Sequence, residues 1–305
     1  MHKIAVIIPC YNNEAHLRKA ISSALAQAGV ALEVVVVDDG STDTSVAIAR
    51  SFGDSVVVIE QANQGACAAR NHGLAETRAP FVKFLDADDY LAPGCLFAQA
   101  DRLAVLPEDH IVFGDGLWVD EAERPLGHFP EVALIGGSSL SPADVIEHTP
   151  LTSCPLHRRN LLEAVGGFDS RCQRAQEYDL HVRLALTGAR FVYQSGLIYY
   201  YVQHASAGRI SQRDRDISVL RNKYEAQLRH IELALHVFDG EMPPGVCRSL
   251  GRALWRTGRM AARRDGKTLA NCCFKQARRL AGSQAKVGSH LYRWLSRFVP
   301  PSLLK

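Results

Sequence analysis

The chain has 305 residues, 47% of them apolar, and a formal net charge of +3. That length allows one large or two modest domains, and the apolar content suffices for a core. Its eight cysteines include no C-x-x-C pair, which argues against a zinc site or a disulfide framework and for a reduced, cytoplasmic setting.

Ile4 to Pro9 is a short apolar run that predicts a strand buried on both faces. The run is too short for a signal peptide, and no later stretch approaches the roughly 18 apolar residues of a membrane span. Asn12 or Asn13 suits the N-cap of a helix carrying Leu17, Ile21, Ala24, Leu25 and Ala28 at helical spacing. A second strand, Glu33 to Val37, runs into Asp38-Asp39-Gly40-Ser41, and Thr42 or Asp43 can cap the helix holding Val46, Ile48 and Ala49. Ser55 to Ile59 reads as a third strand and Ala66 to Glu76 as a helix. The fourth strand, in the apolar run Phe81 to Leu85, ends at Asp86. Strands alternating with helices predict an α/β fold with a parallel, doubly wound sheet. In such sheets ligands bind beyond the carboxyl ends of the strands. Pro9-Cys10-Tyr11, Asp38-Asp39 and Asp86-Ala87-Asp88 all fall there.

From Ile111 to Phe129 the pattern is strand-like, with a turn at Glu121 to Arg124. Trp118 in this stretch reads either as core or as a stacking platform for an acceptor. Near residue 211 the character changes. Ile217, Leu220, Tyr224, Leu228, Ile231 and Leu235 predict a long amphipathic helix, ended by Gly240 and Pro243-Pro244-Gly245. Residues 241–305 hold fourteen Lys/Arg against two Asp/Glu, a local net of +12 that leaves −9 on residues 1–240. Leu291, Trp294, Leu295, Phe298 and Val299 share one helical face at the end. This basic region reads either as a contact for an anionic membrane surface or as a helical hairpin packed on its own domain. It holds no nucleic-acid reader motif, and no nucleic-acid partner is expected.

Asp86-Ala87-Asp88-Asp89 puts three carboxylates at the mouth of a buried strand, where like charges raise one another's pKa. A hard divalent cation, Mg²⁺ or Mn²⁺, resolves that conflict with oxygen ligands. The pattern reads as a metal-diphosphate clamp or, more simply, as a solvated turn capping a helix near Pro93. There is no Gly-x-Gly-x-x-Gly after the first strand and no Walker-type Gly-Lys-Ser/Thr. This argues against a dinucleotide dehydrogenase and a P-loop enzyme.

Six motifs in order carry a resemblance. They are Ile7-Ile8-Pro9-Cys10-Tyr11-Asn12-Asn13-Glu14; Val37-Asp38-Asp39-Gly40-Ser41-Thr42-Asp43; Asn63-Gln64-Gly65 with Ala69-Arg70-Asn71-His72-Gly73; Phe84-Leu85-Asp86-Ala87-Asp88-Asp89; Arg158-Arg159 with Val165-Gly166-Gly167-Phe168-Asp169; and Gln176 to Leu184 followed by Tyr199 to His204. Over about residues 1 to 210 the chain resembles the inverting, family 2 glycosyltransferases of GT-A fold. The resemblance implies a mixed sheet flanked by helices, with a nucleotide-sugar half at 1–110, an acceptor half at 111–210 and a helical, basic extension at 211–305. It implies that Pro9 and Tyr11 line the nucleobase pocket, that Asp39 accepts from the base, and that Asp86 binds the ribose. Asp88 would hold a metal, Mn²⁺ or Mg²⁺, on the diphosphate, and His204 would approach the metal or the diphosphate. Asp38 and Asp89 are read as structural. Arg70 and Asn71 are read as pairing with an acid and bracing a loop, and Arg209 and Arg213 as closing over the diphosphate.

An inverting transfer needs a base on the acceptor side. Glu177 and Asp179 stand at the start of a helix, where the dipole alone also favours acids. Aligned on Leu-x-x-Arg-Leu, Glu177 takes the family's base position and Asp179 the second, less direct one. The resemblance therefore implies a metal-dependent hexosyl- or N-acetylhexosaminyltransferase. It would move a sugar from a nucleotide donor, most simply a UDP-sugar, to a glycan or lipid-linked glycan in cell-surface polysaccharide synthesis. A non-catalytic scaffold that keeps the fold and binds nucleotide-sugars or a membrane is the alternative.

Overall fold

A computed structural model describes residues 1–128, 139–203 and 216–285. The chain divides into two compact units. The first comprises Met1–Leu140, Pro150–Ser170 and Gly188–Ala205, and the second Ser141–Thr149, Arg171–Thr187 and Ser206–Lys305.

The first unit opens with β1 (His2–Cys10), α1 (Leu17–Leu25), β2 (Val30–Asp38), α2 (Ser45–Arg50), β3 (Val57–Glu60), α3 (Ala66–Glu76) and β4 (Phe81–Phe84). Its first sheet has the order β3-β2-β1-β4, all parallel, and ends in the antiparallel β9 (His157–Arg158). Ile4 to Ile8 are fully buried, as the apolar run demands. Each large side chain there contributes about 1.5–3 kcal/mol of burial. α3 lies close against β1 because Gly73 has no side chain: a Cβ there would sit 2.5 Å from Ile7 Cγ2.

A second sheet joins β5 (Tyr90–Leu91), β6 (His110–Asp120), β7 (Pro125–His128), β8 (Ser139–Leu140) and β10 (Arg190–Gln203). β6 and β7 form the expected antiparallel pair around the 121–124 turn. Trp118 is half-buried on β6, opposite Gly127. α4 (Cys95–Ala104) and α6 (Arg159–Ala164) complete the unit.

One residue inside the apolar run of β4 departs from the pattern. Lys83 is fully buried. Its Nζ donates to Gln99 Oε1 at 3.1 Å and to the Cys154 carbonyl at 2.9 Å, and burial pulls the ammonium down to about 8. The two acceptors tie β4 to α4 and to the segment before β9. Local sequence offered no sign of them.

The helix starts also differ from expectation. Asn12 caps no helix. It sits in the left-handed region (φ 48°), and its Oδ1 accepts from the Thr42 amide at 2.7 Å. The Asn13 carbonyl takes the His16 and Leu17 amides, and α1 begins without a side-chain cap. Asp43 does serve α2, accepting from the Ser45 amide at 2.9 Å. Its other oxygen accepts from the Glu14 amide, while Glu14 Oε2 accepts from the Thr44 amide, each at 3.0 Å. Side chains that propensity assigns to caps are used here to lock the β1–α1 and β2–α2 loops together.

The second unit contains α5 (Pro142–Glu147), α7 (Gln176–Leu186), α8 (Ile217–Val237), α9 (Pro244–Ala262) and α10 (Lys267–Ala281). A Ser141/Asp144 capping box starts α5. One core gathers Leu220, Leu254, Trp255, Leu269 and Phe274; another gathers Ile146, Val182, Leu186, Val246 and Leu250. The amphipathic face of α8 is rotated from its apolar pattern. Gln227 and His230 are buried, whereas Leu235 is exposed. No helix among the described residues is long and apolar enough to cross a membrane.

Candidate active site

The site grows from strand register. Cys10 faces Asp38 across β1–β2, and Ile7 faces Phe84 across β1–β4. The ladder continues past the strands, with the Asp39 amide on the Cys10 carbonyl at 2.8 Å and the Leu85 amide on the Ile7 carbonyl at 3.0 Å. The segments after β1, β2 and β4 therefore leave one sheet edge side by side. Pro9 is half-buried there, and Tyr11 is 53% exposed.

Asp39 is buried and organises the loop before α3. Oδ1 accepts from Gln61 Nε2 at 2.7 Å and the Gln64 amide at 2.8 Å; Oδ2 accepts from the Gly65 amide at 2.7 Å. These donors precede the N-terminus of α3, where a carboxylate is favoured. A carboxylate has about four lone-pair sites, so roughly one remains for an outside N–H. Asp38 takes the Ser41 amide on Oδ2 at 2.9 Å, and its Oδ1 has no partner among the described residues.

At the end of β4, Asp86 Oδ1 accepts from Arg70 Nη2 of α3 at 2.6 Å, and the Asp86 amide donates to Ser153 Oγ at 3.1 Å. Asp89 is buried. Its Oδ2 accepts from Ser153 Oγ at 3.1 Å and its Oδ1 from the Val202 amide at 3.3 Å. Burial first, then the charges of Asp88 and Asp86, hold the Asp89 carboxyl well above the usual carboxylate range. Asp88 is half-buried. α4 starts behind Gly94 with no side-chain cap, so the acids do not serve as its N-cap. Their mutual repulsion and all-oxygen donor set fit a hard divalent cation.

Asn71, next to Arg70, grips the glycine turn that follows α6. Its Nδ2 donates to the Phe168 carbonyl and its Oδ1 accepts the Phe168 amide, both at 2.8 Å. A Cβ on Gly167 (φ 65°) would lie 2.5 Å from Asn71 Oδ1. Arg158 donates to the Leu103 and Leu106 carbonyls at the end of α4. Arg159 donates to the Leu74 and Ala79 carbonyls around the end of α3. Both guanidiniums thus satisfy carbonyls at or beyond helix C-termini.

In the second unit, Glu177 and Asp179 occupy the first turn of α7. Glu177 is half-buried, and Asp179 is 1% exposed. Asp179 Oδ2 accepts from Arg183 Nε at 2.8 Å, and Oδ1 meets His230 Nε2 at 2.9 Å. Burial alone would raise its pKa, but the His230 hydrogen bond and the Arg183 charge hold it down at about 2.

The family model for glycosyl transferase family 2 matches residues 5–115. The succinoglycan biosynthesis protein ExoU of Rhizobium meliloti is 30% identical over 284 residues, which cover 82% of each chain. This chain belongs to the family 2 glycosyltransferases. An uncharacterized glycosyltransferase of Rickettsia felis is 27% identical over 75% of this chain and 39% of its own length. Among solved structures, S. aureus TarS 1-349 in complex with UDP-GlcNAc superposes with a TM-score of 0.61 at 18% identity, covering 92% of this chain and 91% of that one. The mannosyltransferase PcManGT of Pyrobaculum calidifontis, in complex with GDP-Man and Mn²⁺, gives 0.57 at 17%, covering 98% and 81%. These likenesses establish the GT-A fold.

In this family 2 chain, Pro9, Tyr11, Asp39, Asp86 and Asp88 come together at one edge of the first unit. Glu177 and Asp179 belong to the second unit. His204, Arg209 and Arg213 lie outside the described residues, as does the 291–299 apolar face. Sequence reasoning missed Ser153, which bonds both the Asp86 amide and Asp89, and His230, which meets Asp179. Neither sits in a motif, and only the tertiary fold brings them to the acids.

Proposed function

We propose that this glycosyltransferase is metal-dependent and inverting, and transfers a sugar from a nucleotide donor, a UDP-sugar most simply, to a glycan or lipid-linked glycan in polysaccharide synthesis. The observation that carries this reading is the acid cluster after β4. Asp86 is held by Arg70, Asp89 is buried against Ser153, and Asp88 stands between them on the edge that also carries Asp39. Asp88 would hold the divalent cation, which when bound would supply positive charge against the donor diphosphate. Asp39 offers its remaining lone pair to the base, Tyr11 and Pro9 line the base pocket, and Asp86 accepts from ribose hydroxyls. His204 is the further metal or diphosphate contact.

Glu177 takes the proton from the acceptor hydroxyl as the anomeric carbon is displaced in a single step. Asp179 is the weaker candidate for that task, because Arg183 and His230 already occupy its carboxylate. Residues 1–110 form the donor half, 111–210 the acceptor half and 211–305 the extension. The class, hexosyl or N-acetylhexosaminyl, is drawn from a succinoglycan-synthesis relative and a neighbour holding UDP-GlcNAc. PcManGT, crystallised with GDP-Man and Mn²⁺, supports divalent-metal use.

The enzyme works in the cytoplasm and rests on anionic lipid through residues 241–305. Lys267, Lys275, Arg278 and Arg279 are exposed along α10, and Arg248, Arg252 and Arg263 along α9. Anionic vesicles that bind the wild type and a Lys275→Glu/Arg278→Glu/Arg279→Glu variant equally would count against that contact.

A thermal-shift panel tests the donor site. UDP-glucose, UDP-GlcNAc, GDP-mannose, dTDP-glucose and a CMP-sugar are each added with and without Mn²⁺, to wild type and Asp88→Ala. Binding to the native state alone raises apparent stability. Stabilisation by one nucleotide class that needs both Mn²⁺ and Asp88 is expected. Metal-independent stabilisation, or none with folded protein, would overturn the clamp and favour a non-catalytic role.

A further inference from the structure

We propose that His230 of α8 is a positioning residue for Glu177: its hydrogen bond to Asp179 fixes the first turn of α7, and so makes the C-terminal helices part of the catalytic apparatus. The inference rests on reading Glu177 as the base.

Asp179 closes that turn. Its amide donates to the Ala175 carbonyl at 3.1 Å, and its side chain lies two residues beyond Glu177. The turn is entered through Ala175 in the left-handed region, φ 51°. A residue with a Cβ holds that conformation only where its surroundings over-determine it. Arg183 grips Asp179 from within α7, at 2.7 Å through Nη2. His230 ties the same carboxylate to α8, at 2.9 Å with the imidazole wholly buried. A carboxylate only accepts, so Nε2 carries the proton.

His230 stands where an apolar side chain would be the ordinary choice. Its ring meets Tyr178 edge-on at 5.7 Å, among Val182, Ile231 and Ala234. His230 Nδ1 and the Tyr178 hydroxyl have no hydrogen-bond partner among the described residues. Burying such groups is unfavourable. What the polar pair adds is direction: apolar packing tolerates small slides of one helix on another, whereas a hydrogen bond between buried groups does not. Sequence spacing places Glu177 in the same turn, and a catalytic group displaced by about 1 Å can lose about a hundredfold in rate.

The test uses the full chain with His230→Phe, which keeps a ring against Tyr178 but removes the donor, and His230→Gln, which can restore one. Leu254→Ala, in the core of the same unit, is a destabilised control. Amide exchange over residues 176–181 is read alongside kcat and KM for nucleotide release from whichever of UDP-glucose, UDP-GlcNAc or GDP-mannose stabilises the protein. For His230→Phe, about tenfold faster exchange confined to that turn is expected. Its kcat should fall by about 10- to 100-fold while the donor KM stays within about threefold. His230→Gln should recover most of both, and Leu254→Ala should lower Tm with little change in kcat.

Unchanged exchange and kcat in folded His230→Phe would overturn the proposal, as would an equal kcat loss in Leu254→Ala. Should His230→Phe not fold, the smaller His230→Leu, which also lacks the donor, carries the same expectations. If no donor turns over, the exchange result alone decides. Glu177→Gln separates the two levels: retained turnover there sinks the base assignment, while the exchange measurement still reads His230.

Discussion

Asp86, Asp88 and Asp89 crowd the turn after β4, whereas Glu177 and Asp179 share the first turn of α7. In the second turn the buried acid is compensated. Arg183 and His230 both bind Asp179, and its pKa is held at about 2. In the first turn the buried acid, Asp89, accepts from neutral donors, Ser153 and the Val202 amide, and burial and then two acidic neighbours push its pKa upward. A carboxylate with enough donors of its own is architecture. Crowded carboxylates that repel one another retain affinity for a cation. The same residue types at similar spacing thus serve different ends, and the surrounding charge decides which.

Five measurements sharpen or break this contrast, taken from the largest effect down. Glu177→Gln should lower kcat by about 10²- to 10⁴-fold while leaving the donor-induced thermal shift intact. A loss of donor binding instead would remove Glu177 from the role of base. Asp179→Ala should cost about 3–5 kcal/mol in urea unfolding, since it removes the buried carboxylate that His230 and Arg183 bind; a change under about 1 kcal/mol would show that the network is not structural.

The pH dependence of Asp179 has a definite sign. Its folded pKa, held down at about 2, lies below the ordinary aspartate range. The stability it contributes is therefore present above about pH 4 and is lost as pH falls toward 2. Asp179→Asn should flatten that limb of the stability profile, and an unchanged acid limb would refute the assignment. Asp39→Ala, which removes the acceptor for three donors, should cost about 1.5–3 kcal/mol even without nucleotide. No loss would mean that the 61–65 loop is held by other means. Asn71→Ala should cost the least, about 1–3 kcal/mol, by unpairing the Phe168 amide and carbonyl. Equal proteolytic sensitivity of the Gly166-Gly167 turn in variant and wild type would contradict that.

Much of the acid-bearing edge was legible beforehand. The strand periods, the helix at Ala66 to Glu76 and the convergence of Pro9, Asp39 and Asp86 follow from short-range pattern and the parallel connection rule. Arg70 and Asn71 were expected to pair with an acid and brace a loop; only the structure identifies the acid as Asp86 and the loop as the glycine turn. The caps were not read correctly. Asn12 has the right chemistry for a helix start, but the loop after β2, 30 residues away, offered it a better donor, the Thr42 amide. Lys83 passed unremarked in an apolar strand because its acceptors lie at Gln99 and Cys154. The α8 face was misjudged by part of a turn because a polar His230 belongs on the buried side.

By itself, then, the sequence determined the alternation of strands and helices, the acid-bearing edge and the family, because these depend on periodicity and on contiguous motifs. Only the tertiary structure decided which acids are compensated and which are not. That outcome depends on donors such as Ser153 and His230, which lie 64 and 51 residues from the acids they meet, and local pattern carries no information about pairings at that range.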